Sequence, residues 1–166
     1  MKSNKFLHIT HFVFILFLSV SCLKEEEYPI VPEIKYEEFL SLVNRETGIV
    51  EQGVLKFSFK DGDGDIGLEQ YEQEPPYDYN LFITLYEIQN GDSVEIDPPL
   101  TLNQRIPILT PDGNDKSIRG EIEDTLIIYD PSSAFDTIYL ELYILDRALN
   151  QSNTISTPLL LRKFDL

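Results

Sequence analysis

The sequence is poor in the side chains that enzymes most often use for nucleophilic catalysis and for binding zinc. It has no tryptophan, one cysteine and two histidines, and both histidines, His8 and His11, lie close to the N-terminus. A Ser-His-Asp or Cys-His catalytic set, or a zinc site made of histidine and cysteine, needs histidines that the chain lacks after residue 11. With Cys22 as the single cysteine, no disulfide can form within the chain.

Basic residues are also scarce. The chain of 166 residues has 13 lysines and arginines against 29 aspartates and glutamates, which gives a formal net charge of −16. This balance argues against binding nucleic acid or an anionic membrane through a basic patch, and it favours cations, basic partners or simple solubility. A hydrolase that uses two carboxylates remains an alternative, but so many acidic residues single out no pair.

Residues 1–21 have the pattern of a secretion signal. Lys2 and Lys5 form its positively charged start, and the apolar run Phe12–Leu18 is shorter than the roughly 20 residues that a membrane-spanning helix needs. Loss of residues 1–21 takes away two lysines and no acidic residue, so the net charge of the remaining chain becomes −18. The run Ser19-Val20-Ser21-Cys22 follows directly.

That run resembles the lipobox of bacterial lipoproteins, in which the signal is removed before the cysteine and the cysteine is acylated. The resemblance implies a lipid anchor at Cys22. The next residues, 23–27 (LKEEE), resemble the export tag of surface lipoproteins of the Bacteroidota, which implies an outward-facing position on the outer membrane. The alternative is an ordinary cleaved signal followed by a solvated linker. The expected organisation is a signal peptide over 1–21, a lipidated acidic and proline-bearing linker over 22–33, and one domain over 34–166.

Residues 34–166 have the pattern of short strands separated by turns, with almost no helical periodicity. This pattern predicts a single all-β domain, an antiparallel immunoglobulin-like β-sandwich of about seven strands, with a small barrel as the alternative. The predicted strands are Ile34–Glu37, Val54–Lys60, Leu81–Ile88, Ser93–Ile96, Arg105–Thr110, Ile118–Asp124 with Leu126–Tyr129, Thr137–Leu145 and Ser156–Arg162. Predicted turns lie at Thr47-Gly48, Gln52-Gly53, Asn90-Gly91 and Pro111–Asn114, and Glu38–Arg45 is expected to be irregular or one helical turn.

Three aspartates alternate with glycines directly after the strand Val54–Lys60. Asp61, Asp63 and Asp65 match positions 1, 3 and 5 of an EF-hand loop, and Glu72 falls at position 12, but the glycine of position 6 is Ile66. Carboxylates this close need a compensating cation, and oxygen ligands favour calcium, in a structural role. The alternative is a glycine-rich turn whose acids point into water.

A second loop is expected to reach the same end of the sandwich. In an immunoglobulin-like topology, the loop after Thr137–Leu145 lies beside the loop after Val54–Lys60, which brings Asp146 and Asn150 towards the aspartates. The predicted metal ligands are therefore Asp61, Asp63, Asp65, Asp146 and Glu72, with Asp78 as a further candidate.

Tyr71, Tyr77 and Tyr79 form an aromatic group in the long loop after the aspartates. Such rings can stack on sugars, and they are then a possible ligand platform. The alternative is that they pack over the loop with their hydroxyl groups in water.

The runs 57–68 (FSFKDGDGDIGL), 105–111 (RIPILTP) and 143–158 (YILDRALNQSNTISTP), together with Gly120, resemble a group of Bacteroidota lipoproteins whose domains are similar to bacterial Ig-like modules. Leu149 stands where that group usually has glycine. The resemblance implies a cell-surface sandwich and no activity. The expected function is a non-enzymatic, lipid-anchored binding or envelope-assembly module stabilised by calcium, with an unknown protein or glycan as partner and no nucleic acid. The alternative is a carbohydrate-binding accessory protein of a glycan-uptake system.

Overall fold

The computed structural model describes residues 27–109 and 117–164. The predicted signal peptide, Cys22 and the turn predicted at Pro111–Asn114 lie outside these residues. Eight strands follow one another along the described chain. They are β1 Glu33–Val43, β2 Val50–Asp61, β3 Leu81–Gln89, β4 Asp92–Ile96, β5 Ile118–Ile127, β6 Thr137–Ile144, β7 Ile155–Ser156 and β8 Leu160–Leu161.

The strands form two antiparallel sheets. One has the order β1-β2-β5, and the other has the order β4-β3-β6, with β7 and β8 both paired to β6. In immunoglobulin lettering these are strands A-B-E and C′-C-F-G, so the crossovers between the sheets are those of an immunoglobulin-like sandwich. The prediction of an all-β antiparallel sandwich is confirmed. The sandwich places the ends of β2 and β6 at the same rim.

The core lies between the two sheets because alternate residues of each strand point to one face. In β2 the inward residues are Leu55, Phe57 and Phe59, and in β6 the whole inward row is fully buried. That row consists of Ile138, Leu140, Leu142 and Ile144. Full burial of one such side chain contributes about 1.5–3 kcal/mol to the free energy of folding. All core residues fall between Ile34 and Leu160.

Strand β1 is longer than expected, so the prediction of irregular or helical chain over Glu38–Arg45 is wrong. Its pairing with β2 shifts register between Tyr36 and Glu38, which leaves Glu37 as an extra residue in a β-bulge. An extra residue reverses the alternation of inward and outward side chains from that point on. The inward row resumes at Phe39, and the pattern therefore looks irregular in the sequence.

The turn predicted at Gln52-Gly53 is also wrong, because Gly53 lies inside β2. A Cβ atom on Gly53 would stand 2.1 Å from Cζ of Phe39, so the glycine makes room for this ring on the neighbouring strand. The turn predicted at Thr47-Gly48 is present: the Gly48 amide donates to the Asn44 carbonyl at 2.8 Å, and Gly48 has φ 72°.

Prolines interrupt two of the predicted strands. No strand forms over the described residues of Arg105–Thr110, where Pro107 makes only an isolated bridge to Leu68. The strand predicted over Ser156–Arg162 is split into β7 and β8, which flank Pro158. Proline has no amide hydrogen to donate to a ladder, which explains both corrections. The hairpin predicted at Asn90-Gly91 is confirmed, with φ 56° and 97°.

A buried ion pair joins the C-terminal segment to the second sheet. Arg162 and Glu87 are both almost inaccessible to water, and the Arg162 guanidinium donates to the Glu87 carboxylate, to the Phe135 carbonyl and to Ser133 Oγ. Burial opposes ionisation of Glu87, but hydrogen bonds from Ser133 and Arg162 outweigh it and lower the pKa of Glu87. The Arg162 carbonyl accepts from the Val50 amide at 2.8 Å, so this residue also contacts β2.

We expect Arg162→Met to lower the free energy of unfolding by about 3–5 kcal/mol, because it leaves the Glu87 carboxylate buried and uncompensated. The double variant Arg162→Met/Glu87→Met should lose much less. Lys56 pairs with two exposed glutamates, so the control Lys56→Met should cost far less than Arg162→Met. Urea denaturation at pH 7.5 measures all three, and equal losses for Arg162→Met and Lys56→Met would contradict the assignment.

Candidate metal centre

The aspartate loop begins where β2 ends and is fixed to the core by apolar side chains. Ile66 is fully buried and Leu68 nearly so, and the Leu68 amide donates to the Ile106 carbonyl at 3.0 Å. An EF-hand has glycine where Ile66 stands, because its loop makes a sharp turn there. Here the side chain enters the sandwich, and the aspartates are held at the rim.

The loop brings three carboxylates together. One oxygen from each of Asp61, Asp63 and Asp65 lies within 4.8 Å of the others. Asp61 is 0% exposed, and its Oδ2 accepts from the Asp65 amide at 2.9 Å, while Asp63 and Asp65 are half-buried.

The remaining oxygens of these three residues lack hydrogen-bond donors. In residues 27–109 and 117–164, four buried side-chain oxygens have no hydrogen-bond partner, and three of them are Oδ1 of Asp61, Asp63 and Asp65. The fourth is Oδ2 of Asp124 in β5. Buried polar atoms in folded proteins nearly always have partners, because leaving one unsatisfied costs about 1–3 kcal/mol or more for a charged group. A bound cation satisfies all three aspartate oxygens at once.

The electrostatics of the loop lead to the same conclusion. Burial, followed by the charges of Asp63 and Asp65, raises the pKa of Asp61 to about 7. Burial and the charge of Asp146 raise the pKa of Asp65. Without a cation, these groups therefore resist ionisation together, whereas a divalent cation favours their charged forms.

The loop after β6 meets the aspartate loop at this rim. The Arg147 amide donates to the Asp65 carbonyl at 3.2 Å, and the Ala148 amide donates to Asp65 Oδ2 at 3.2 Å. Asp146 is buried beside Asp65, but its two carboxylate oxygens accept from the amide and the side chain of Asn150, at 2.7 and 2.8 Å. Its oxygens are outside the group of three. Asp146 therefore affects the site through its negative charge and through the turn that its carboxylate forms with Asn150.

Leu149 has a backbone conformation that glycine adopts more readily than leucine. Its φ is 65°, in the left-handed region, and its amide donates to the Asp146 carbonyl at 3.1 Å. The turn therefore carries a leucine side chain, which is 41% exposed at the rim.

Glu72 and Asp78, the other proposed ligands, are not brought into the group of three. The Glu72 carboxylate accepts from the Glu69 amide at 2.7 Å and pairs with the Arg147 guanidinium at 3.5 Å. The chain turns back at Glu69–Glu72, whereas an EF-hand needs a helix there to bring position 12 to the ion.

Arg105 has a structural role that the sequence did not reveal. Its guanidinium donates to the carbonyls of Tyr77, Asp78 and Glu69, at 2.6, 2.8 and 3.0 Å. It therefore holds the long loop that follows the aspartates against the body of the domain. The available clue is the loop length, since a long ordered loop needs donors for its carbonyl groups.

The three tyrosines differ in exposure. Tyr71 is exposed, whereas Tyr77 and Tyr79 are half-buried. The Tyr77 hydroxyl lies 3.5 Å from the Arg147 carbonyl, which it reaches from the opposite loop. Tyr77 therefore contributes to the contact between the two rim loops.

The chain that precedes β1 is attached to the aspartate loop. The Gly62 amide donates to the Pro29 carbonyl at 2.8 Å. A Cβ on Gly62 would stand 2.4 Å from the Tyr28 carbonyl oxygen, so only glycine permits this approach. The Lys60 ammonium lies 5.3 Å from the centre of the Tyr28 ring, within the range of a cation–π contact.

We expect the stability of the metal-free protein to depend on the protonation of Asp61. Its pKa rises from the ordinary 3.8 to about 7 on folding, so between these values the folded state holds a proton that the unfolded state lacks. The free energy of unfolding should then fall as pH rises from about 4 to 7, by at most about 1.4 kcal/mol per unit. In Asp61→Asn the free energy of unfolding should not decrease in this way as the pH rises. Denaturation in chelator at several pH values measures the unfolding free energy of both proteins. The same pH dependence in the original chain and in Asp61→Asn would contradict the prediction.

Neither described segment contains a helix with the length and hydropathy that crossing a bilayer requires. Comparison of the chain with protein-family models, with curated proteins and with solved structures finds no match. The function is therefore argued from the aspartate cluster and its surroundings.

Proposed function

We propose that the protein is a non-enzymatic binding or envelope-assembly module whose sandwich is stabilised by calcium at Asp61, Asp63 and Asp65. The observation that carries the proposal is that one carboxylate oxygen from each of the three aspartates lies within 4.8 Å of the others. Each of these residues also has a buried oxygen without a hydrogen-bond partner in the described part of the chain. A structural role fits because the site joins β2, the chain before β1 and the loop after β6. The sequence supplies no histidine or cysteine beside it for catalysis.

The donor set favours calcium. All three candidate ligand atoms are carboxylate oxygens, which hard cations prefer. Two oxygens on one ion are separated by at most twice the metal–oxygen distance, or about 4.6–5.2 Å for calcium. The separations in the cluster fall within this limit. Calcium also accepts irregular geometry, and carbonyl groups and water can complete its shell.

The proposed location is the outer surface of an outer membrane, with a lipid anchor at Cys22. This rests on the lipobox-like run before Cys22 and on the acidic tag after it. An acyl chain contributes about 0.8 kcal/mol for each buried CH₂ group, and two or more chains give stable anchoring. The anchor leaves the sandwich free to contact a protein or glycan partner.

Calcium should raise the midpoint of thermal unfolding. At a concentration one hundred times the dissociation constant, the expected gain in unfolding free energy is about 2.7 kcal/mol. Asp63→Asn should abolish most of the gain, because it removes one of the three anionic ligands. The matched control is Asp92→Asn, an exposed aspartate in the hairpin after β3, at the other end of the sandwich. Calorimetry in excess calcium and in chelator measures the midpoint of thermal unfolding. Identical midpoints in the two conditions would contradict the calcium site.

Replacing Cys22 tests the anchor separately. In cells, Cys22→Ala should block acylation and release the protein from the membrane fraction. Labelling with an alkyne fatty acid followed by fractionation measures both effects. A variant that is still processed and still sediments with membranes would contradict the lipid anchor and leave the calcium site unaffected.

A further inference from the structure

The metal centre lies at the end of the sandwich where the N-terminal segment enters. Pro29 is hydrogen-bonded to Gly62, between two of the aspartates. Only residues 23–27 separate Cys22 from Tyr28, and six peptide units reach at most about 20 Å. An anchor at Cys22 would therefore keep the aspartate cluster close to the membrane.

Exposed apolar side chains lie at the same end. Ile30 and Val31 follow the residue that contacts Gly62 and are 64% and 47% exposed. Leu149 lies on the loop that donates to Asp65, with its side chain outward. Its left-handed backbone suits glycine or asparagine better than leucine. An apolar side chain thus stands at an exposed position whose backbone conformation is unfavourable for leucine.

We propose that this end docks onto a lipid surface through the bound calcium ion, which bridges the aspartates to headgroup phosphates while Leu149, Ile30 and Val31 enter the headgroup layer. This rests on the proposed calcium site. Calcium takes 6–8 oxygen ligands, so three aspartate oxygens leave positions for phosphate oxygens. Asp63 and Asp65 are half-buried, so part of each residue reaches the surface of the domain.

The charge of the protein makes the contact depend on calcium. Without residues 1–21 the chain has a net charge of −18, so anionic headgroups repel it, and the sequence offers no basic patch to overcome this. Calcium supplies the positive charge at one point of the surface. The lipid anchor would then hold the domain near the membrane, and calcium would fix which of its surfaces faces the lipid.

The test uses a chain that begins at Leu23 and therefore carries no lipid. It keeps every core residue, from Ile34 to Leu160, together with the tether contact at Pro29. Vesicles of phosphatidylcholine and phosphatidylglycerol are sedimented with it in 1 mM calcium or in chelator, at physiological salt. We expect at least tenfold more binding with calcium, and loss of binding in Asp63→Asn.

Leu149→Asn should weaken vesicle binding several-fold while keeping the fold, because asparagine accepts the left-handed conformation. The matched control is Leu40→Asn in β1, a leucine that is 55% exposed near the opposite end. Thermal unfolding in calcium checks that both variants fold and still bind the ion. Equal effects of the two substitutions on vesicle binding would overturn the docking surface.

The outcomes separate this inference from the proposed function. Calcium-dependent stabilisation without vesicle binding overturns the docking and leaves the metal site standing. Vesicle binding that is equal in calcium and chelator also overturns it, since the bridge is then not the ion. Absence of any calcium effect on unfolding removes both proposals.

Discussion

Mutual repulsion among the carboxylates at the end of β2 is the constraint on which the rest of the rim depends. Asp61 is the last residue of a central strand, so its position is fixed by ten consecutive pairs with β5. Ile66, five residues later, is fixed by the core. The short segment between them cannot move its acidic groups far apart, and relief must come from charge, either protons or a cation.

The two groups of buried carboxylates described above differ in how their negative charge is compensated. Glu87 meets a guanidinium that is itself held by backbone and hydroxyl oxygens, so that pair is complete within the chain. The aspartate cluster has amide donors on one side, at Asp65 and Ala148, and none for the three Oδ1 atoms. The chain thus satisfies the Glu87 carboxylate with its own side chains, whereas the three aspartates form a group that could hold a metal ion.

Simple alternation along a strand made much of this architecture predictable. β3 and β6 keep a period of two, as does β2 from Gly53 to Asp61, and their order then places the aspartate loop beside the loop of Asp146. The sequence does not reveal where this alternation is interrupted. It also does not reveal which side chains contact residues that are far away along the chain. The bulge at Glu37 hides half of β1, Gly53 is needed for the Phe39 ring and not for a turn, and Arg105 contacts carbonyls about 30 residues away. Such features depend on neighbours that are remote along the chain.

Asp124 places an acid at the free edge of the first sheet, and its buried Oδ2 atom has no hydrogen-bond partner among the described residues. β5 is the outermost strand there, and Asp124 pairs with Leu55, whose side chain faces the interior. Burial raises the pKa of Asp124. Addition of a strand from another molecule would enclose this acid further, which opposes growth of the sheet by edge-to-edge association. An inward-facing acid at the edge of this sheet therefore favours separate molecules over a sheet shared between two of them.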